Sequence, residues 1–196
     1  QSYVHKIITG RREELKNIRK LNGIAGFPKT KESETDCFNT GHSSTSISAA
    51  MGIAKARDLK KEKYSVIAVI GDGALTGGEA YEGLNSAGAS GRRLVVILND
   101  NEMSIDKNVG ALSEYLSRIK LAPQYAKAKK DIEGFLCNIP RIGETVFKTA
   151  ECLKDGVKAA ISSGSWFEEL GFNYIGPLDG HNIQAMQDVF RQLSQV

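Results

Sequence analysis

The sequence predicts an α/β fold: a three-layer, doubly wound and mostly parallel sheet with one helical excursion. Three observations lead there. Tyr64–Ile70 and Leu94–Leu98 are nearly unbroken apolar runs rich in β-branched residues, the pattern of strands covered on both faces. A helical pattern over 76–89, with Ala80, Leu84 and Ala87 on one face, lies between them. Strand, helix and strand in so short a span make a right-handed βαβ unit whose two strands are neighbours.

The remaining elements follow in chain order. Arg11–Leu21 reads as a short helix, with Leu15, Ile18 and Leu21 near helical spacing. Asn22–Thr40 mixes Gly, Pro and many charges, so it is expected to be a long loop, functional or mobile, and to exchange faster than the helix after it. Ser43–Lys61 is that helix. Its stripe is Ile47, Met51, Ala54 and Asp58, and Ala49, Gly52 and Ala56 offer a small-residue face for close packing. Residues 108–163 hold three charged amphipathic stretches divided by Pro123 and Pro140, and these form the helical excursion. Phe167–Leu170 is a short helix stopped by Gly171. Phe172–Ile175 is expected as a third strand. Asn182 caps a last helix with Met186, Val189, Phe190 and Leu193 on its core face.

The bulk numbers exclude several classes. A chain of 196 residues supports one domain with a real core. A net charge of +3 is too mild to argue for nucleic acid or a membrane surface. No apolar run approaches the ~20 residues of a membrane span. The start, QSYVHKIITGRREEL, lacks a signal-peptide layout and an initial Met, so further residues are expected upstream. Cys37, Cys137 and Cys152 fit no zinc or redox spacing and suit free thiols in a reducing cytoplasm. His5, His42 and His181 lie far apart in the sequence.

The chemistry concentrates where the two predicted strands end. The first ends in Gly71-Asp72-Gly73 and the second in Asn99-Asp100-Asn101. In an open parallel sheet, ligands bind beyond the carboxyl ends of the strands. Asp72 offers an anionic oxygen and Asn101 an amide oxygen, a pair suited to Mg²⁺ or Ca²⁺ with phosphate oxygens and water completing the shell. Gly71 and Gly73 permit close backbone approach. A helix beginning near Thr76 would aim free N–H groups at a phosphate. Alone, Gly-Asp-Gly is more often a plain tight turn. The second cluster, about one βαβ unit away, favours the ligand reading. Gly41-His42-Ser43-Ser44-Thr45-Ser46 precedes an apolar helix, where helix capping is the commoner use and phosphate contact the functional one.

Gly-Asp-Gly followed about one βαβ unit later by Asn resembles the thiamine-diphosphate motif. HKIITGRR, GIAGFPK, ESE, GHSSTSIS, GDGALTGGEAYE, VVILNDNEMSI, NVGAL and FEELGFNYIGPLDGH, in that order, resemble the N-terminal domain of the 1-deoxy-D-xylulose-5-phosphate synthase family. The resemblance covers nearly the whole chain, and ordered blocks of this kind are far more specific than one Gly-Asp-Gly. It implies a thiamine-diphosphate-binding fold, with thiamine diphosphate and Mg²⁺ as cofactors. Asp72, Asn101 and the Met103 carbonyl match the metal ligands, with Asn101 also at the cofactor. Gly73 and Ala74 match backbone contacts to the diphosphate, and Gly41, His42 and Ser43 a further cofactor-contacting segment. The implied reaction is decarboxylation of pyruvate and its condensation with D-glyceraldehyde 3-phosphate. A cytoplasmic homodimer is implied for the full-length enzyme, with neither nucleic acid nor membrane as partner.

The family chain is longer. Residues 1–196 would be its diphosphate-binding domain, incomplete at both ends and inactive alone. The pyrimidine-binding domain, with its activating glutamate, and the C-terminal domain lie outside it, so no catalytic residue is assigned here. Near Ser163-Gly164-Ser165 the family usually has Pro-Gly, with no functional consequence read from the difference. The alternatives are a transketolase-type thiamine-diphosphate enzyme, separated by its donor substrate, and a non-catalytic cofactor-binding or assembly domain. A simple Mg²⁺-dependent phosphoryl-transfer domain is disfavoured, because there is no P-loop and no second Asp is read as pairing with Asp72.

Overall fold

The computed structural model describes residues 2–101, 109–121 and 165–195. Its centre is a two-stranded parallel sheet of β1 (Ile67–Gly71) and β2 (Val95–Asn99), in register from Ile67↔Val95 to Gly71↔Asn99. Helix α1 (Ser2–Ile8) and a 3-10 turn at Glu13–Asn17 come first, and α2 (Ser46–Leu59) leads into β1. One helical turn, α3 (Asp72–Leu75), and α4 (Gly78–Ala89) join β1 to β2. Then come α5 (Ala111–Leu121), α6 (Ser165–Glu169) and α7 (Ile183–Gln195).

The predicted βαβ unit is present, with β1 and β2 as parallel neighbours. Ile47 and Ala54 of α2, Ala68 and Ile70 of β1, and Ala80 and Leu84 of α4 build the core. Helices α2 and α4 approach closely at Gly83, where a Cβ would stand 2.8 Å from Ser48 Oγ. Burial of the Arg57 side chain ties the layers together at the other end. Its guanidinium donates to the carbonyls of Tyr64 (3.1 Å) and Arg93 (3.0 Å), ahead of both strands.

Several expectations need correction. The small-residue face of α2 does not pack: Gly52 and Ala56 are exposed, and the buried stripe is Ile47, Ala50, Ala54 and Arg57. The close approach comes from Gly83 instead. Ile67 and Val69 of β1 are 53% and 46% exposed, so among the described residues one face of that strand is covered. The predicted helix over Arg11–Leu21 shrinks to the 3-10 turn. Ile18 is extended (φ −61°, ψ 134°), Arg19 is left-handed (φ 60°), and Leu21 is 94% exposed among the described residues. Phe172–Ile175 forms no ladder among the described residues. The Phe172 N–H instead closes the turn after α6 on the Phe167 carbonyl (3.0 Å), and Tyr174 stacks on Phe167 at 5.6 Å.

Other boundaries hold. Gly171, at φ 93°, ends α6 as expected of a glycine there. The Ala185 N–H donates to Asn182 Oδ1 (3.1 Å), so Asn182 does cap α7. Of the predicted excursion, 111–121 is helical. The apolar stretches around Ile132–Leu136 and Val146–Leu153 lie outside the described residues, as do Cys137 and Cys152. Cys37 is an exposed free thiol.

The Asn22–Thr40 segment contains no helix or strand, and its cohesion is polar. Asp36, 3% exposed, accepts two bonds from the Arg11 guanidinium (2.7 and 2.8 Å) and one from the Lys29 N–H (2.8 Å), and His5 Nε2 lies 3.0 Å away. Glu32 accepts from Lys6 Nζ (2.5 Å) and the Ala25 N–H (2.6 Å), and the Lys6 side chain is fully buried. The Arg11 bonds hold the Asp36 carboxyl far below the usual carboxylate range against the effect of its burial. Burial pushes Glu32 upward, but bonds from Lys6 and Ala25 outweigh it and the net shift is downward.

Candidate functional site

The carboxyl ends of β1 and β2 form the site, as expected for a parallel sheet. Gly71 is extended (φ −81°, ψ 156°) and is the last residue paired across the sheet, to Asn99. The chain turns into α3 immediately, so Asp72 stands one step beyond the ladder. It is buried, at 4% exposed, which is uncommon for an aspartate at a strand end. Burial raises its pKa first. A hydrogen bond with the Asp100 side chain and that group's charge raise it further, because two like charges at one place disfavour full ionisation.

The side chain beside Asp72 is Asp100, whereas the sequence points to Asn101 as its partner and makes no second Asp obvious in a strand-end pair. The register supplied the missing signal: with Gly71 opposite Asn99, the next residues on both strands are Asp72 and Asp100. Two carboxylates meet at the adjacent strand ends and the Asn101 amide follows one residue on in the chain, hard oxygen donors of the kind that hold Mg²⁺; no group of three or more His, Cys, Asp or Glu able to hold a metal ion occurs among the described residues. This donor chemistry fits a divalent cation. Asn101 is exposed, and Met103 lies outside the described residues.

The second candidate segment docks against the first. Gly41, His42 and Ser43 are exposed, and they precede α2, which begins at Ser46. The expected hydroxyl capping is absent: the N-cap, Thr45, makes no side-chain capping bond. Thr40 Oγ1 instead donates to the His42 carbonyl (3.1 Å), and Thr45 Oγ1 lies 3.5 Å from the same oxygen. Ser44 Oγ donates to the Ala74 carbonyl (2.7 Å), bringing the 41–43 segment to the Gly73–Ala74 turn. On that turn Thr76 Oγ1 donates to the Gly73 carbonyl (2.7 Å). The helix expected to start near Thr76 starts at Gly78, because α3 takes up the residues between strand and helix.

A family model described as 1-deoxy-D-xylulose-5-phosphate synthase matches residues 1–196. The chain belongs to the 1-deoxy-D-xylulose-5-phosphate synthase family. It is 59% identical over its whole length to the 1-deoxy-D-xylulose-5-phosphate synthase of Alkaliphilus oremlandii, covering 31% of that protein. It is 57% identical over its whole length to the synthase of Desulforudis audaxviator, again covering 31%. The Clostridium tetani synthase is 58% identical over 96% of this chain and 31% of its own length. The chain therefore spans less than a third of the length of these curated relatives. No helix among the described residues is long and apolar enough to cross a membrane.

Proposed function

We propose that this chain is the diphosphate-binding part of a thiamine-diphosphate- and Mg²⁺-dependent enzyme. The full enzyme condenses pyruvate with D-glyceraldehyde 3-phosphate to give 1-deoxy-D-xylulose 5-phosphate and CO₂. One observation carries the reading: a buried aspartate and the Asn99-Asp100-Asn101 cluster meet at the ends of adjacent parallel strands, in a chain of this family.

Asp72 and Asn101, with the Met103 carbonyl, would hold Mg²⁺. Gly73 and Ala74 would offer backbone to the diphosphate, and Gly41, His42 and Ser43 would approach it from the opposite loop. When bound, thiamine diphosphate supplies carbanion stabilisation. The residues here supply position and charge. Asp72 sits in a buried setting, where its attraction for a cation is less screened than in water. The α2-β1-α4 core keeps both strand ends in register. The rest of the proposal is a three-layer, doubly wound sheet in a cytoplasmic homodimer, with the pyrimidine-binding and C-terminal domains outside these residues. The half-exposed Ile67 and Val69 support a second covering layer, since apolar strand faces are buried in parallel sheets.

The test is calorimetry on the full-length protein with Mg²⁺ and thiamine diphosphate, followed by a CO₂-release assay with pyruvate and D-glyceraldehyde 3-phosphate. Binding and CO₂ release that depend on both substrates are expected. Residues 1–196 alone should bind the Mg²⁺-diphosphate weakly at most and release no CO₂. A full-length protein that ignores thiamine diphosphate would refute the reading.

A further inference from the structure

We infer that Ser44 is a positioning residue: its hydroxyl clamps the Gly41–Ser43 loop onto the Ala74 carbonyl, giving the two loops one shared geometry before any ligand arrives. The inference rests on the functional reading above, in which both loops face the diphosphate.

Three observations converge on the contact. The bond from Ser44 Oγ to the Ala74 carbonyl is 2.7 Å long and joins residues 30 positions apart. Ser44 itself is left-handed, at φ 69°. A serine there is strained relative to glycine, and such a conformation persists only where its surroundings enforce it. The third observation is Gly77. Its own backbone is ordinary (φ −74°, ψ 141°), so nothing in its conformation asks for glycine. The space does: a Cβ at Gly77 would stand 2.3 Å from Ser44 Oγ and 2.9 Å from Ser44 Cβ. Gly77 leaves room for the serine, and the serine uses that room to reach Ala74.

The clamp has a consequence for the site. Ala74 lies two residues beyond Asp72, in α3, and the same carbonyl also accepts from the Gly77 N–H (3.3 Å). Ser44 lies one residue beyond the 41–43 segment. Through this bond the metal end and the loop end of the site are held at a fixed separation. A loop ordered in advance does not lose that freedom when ligand binds, so the clamp raises affinity without touching the ligand.

The experiment uses the full-length protein as Ser44→Ala, Ser44→Gly, Gly77→Ala and the Ser44→Gly/Gly77→Ala double variant, in which no Cβ remains at 44 to meet the one added at 77. Three quantities are read: affinity for thiamine diphosphate at saturating Mg²⁺, affinity for Mn²⁺ alone, and hydrogen exchange over residues 41–45 without ligand. Each single variant should weaken thiamine diphosphate about tenfold, or 1.4 kcal/mol. Mn²⁺ affinity should stay within twofold of wild type, because the strand-end donors are untouched, and exchange over 41–45 should quicken. The double variant should lose no more than either single, since both remove one contact.

Four results would overturn the inference. Thiamine diphosphate affinity of Ser44→Ala could match wild type. Ser44→Gly could bind as wild type, leaving the hydroxyl without a role once the strain is relieved. Mn²⁺ affinity could fall in step with the cofactor, marking a general loss of structure. The losses of Ser44→Gly and Gly77→Ala could simply add. A wild-type protein that binds no thiamine diphosphate removes the functional reading and the cofactor role together. Exchange over 41–45 then judges the clamp alone, and exchange unchanged by Ser44→Ala sinks it.

Discussion

Two regions of this molecule are held together by opposite means. The core of the α2-β1-α4 unit is apolar, with Ile47, Ala54, Ile70, Ala80 and Leu84 at 0–2% exposure. The N-terminal region around Asn22–Thr40 has no such cluster, and its buried side chains are Lys6, Arg11 and Asp36. Apolar packing is graded and tolerant, since a removed methylene costs in proportion to what it filled. A buried ion network behaves differently. It contributes modest net stability when complete and leaves an uncompensated charge when one partner is lost. The proposed site would draw on both regions. Asp72 and Asp100 hang from the packed unit, while Gly41–Ser43 arrive at the end of the ion-paired loop.

The comparison is most sharply broken at Asp36. Asp36→Ala takes both short carboxylate bonds from the buried Arg11 guanidinium, leaving it Glu32 Oε2 at 3.6 Å and Thr9 Oγ1 at 2.9 Å, with its Nε already unpartnered among the described residues. A loss of about 4 kcal/mol is expected for the N-terminal region. Hydrogen exchange should show it over residues 22–40, with α2 and α4 protected as before. Loss of protection spread evenly through the core would mean that the two regions are one cooperative unit.

Leu84→Ala is the matching experiment in the apolar unit. A fully buried leucine should cost about 3 kcal/mol. Chemical denaturation should report it as a global loss, with α2 and β1 exchanging faster. A loss confined to α4 would overturn the assignment of one shared core.

Acid should separate the regions next. Asp36 and Glu32 both have depressed folded-state pKa values, so their stabilisation is present above the unfolded carboxylate pKa, about 4. It is lost as pH falls below that and each folded carboxylate takes up its proton. Exchange over 22–40, corrected for the intrinsic rate, should therefore rise below about pH 4 while α2 keeps its protection. At neutral pH the segment should still exchange faster than α2, with residues 29–36 the slowest within it. Simultaneous loss of both regions would contradict the contrast.

The smallest expected effect is the double substitution Lys6→Met with Glu32→Gln. It removes both charges and keeps an oxygen for the Ala25 N–H (2.6 Å to Glu32 Oε1). Replacing a buried pair by neutral groups of similar volume should change stability by about 1 kcal/mol or less. A thermal melt checks it. A loss near that of Asp36→Ala would show that this pair stabilises far more than its geometry suggests.

The sequence by itself determined the parts whose causes are local. Tyr64–Ile70 and Leu94–Leu98 located the strands to within a few residues, because β-branched runs and a helix between them admit few topologies. Gly-Asp-Gly marked the end of β1 and so the candidate site, because ligands collect where parallel strands end. Asn182 and Gly171 marked helix ends through chemistry confined to one turn. Only the tertiary structure decided the rest. It paired Asp72 with Asp100, since register is a property of two strands together and is written in neither. It left Gly52 and Ala56 exposed among the described residues and made Gly83 the contact, since which face of a helix packs depends on what arrives opposite. It also stitched Glu32 and Asp36 to Lys6 and Arg11. Charges scattered along a loop look solvent-bound in sequence until the fold brings their partners and removes the water.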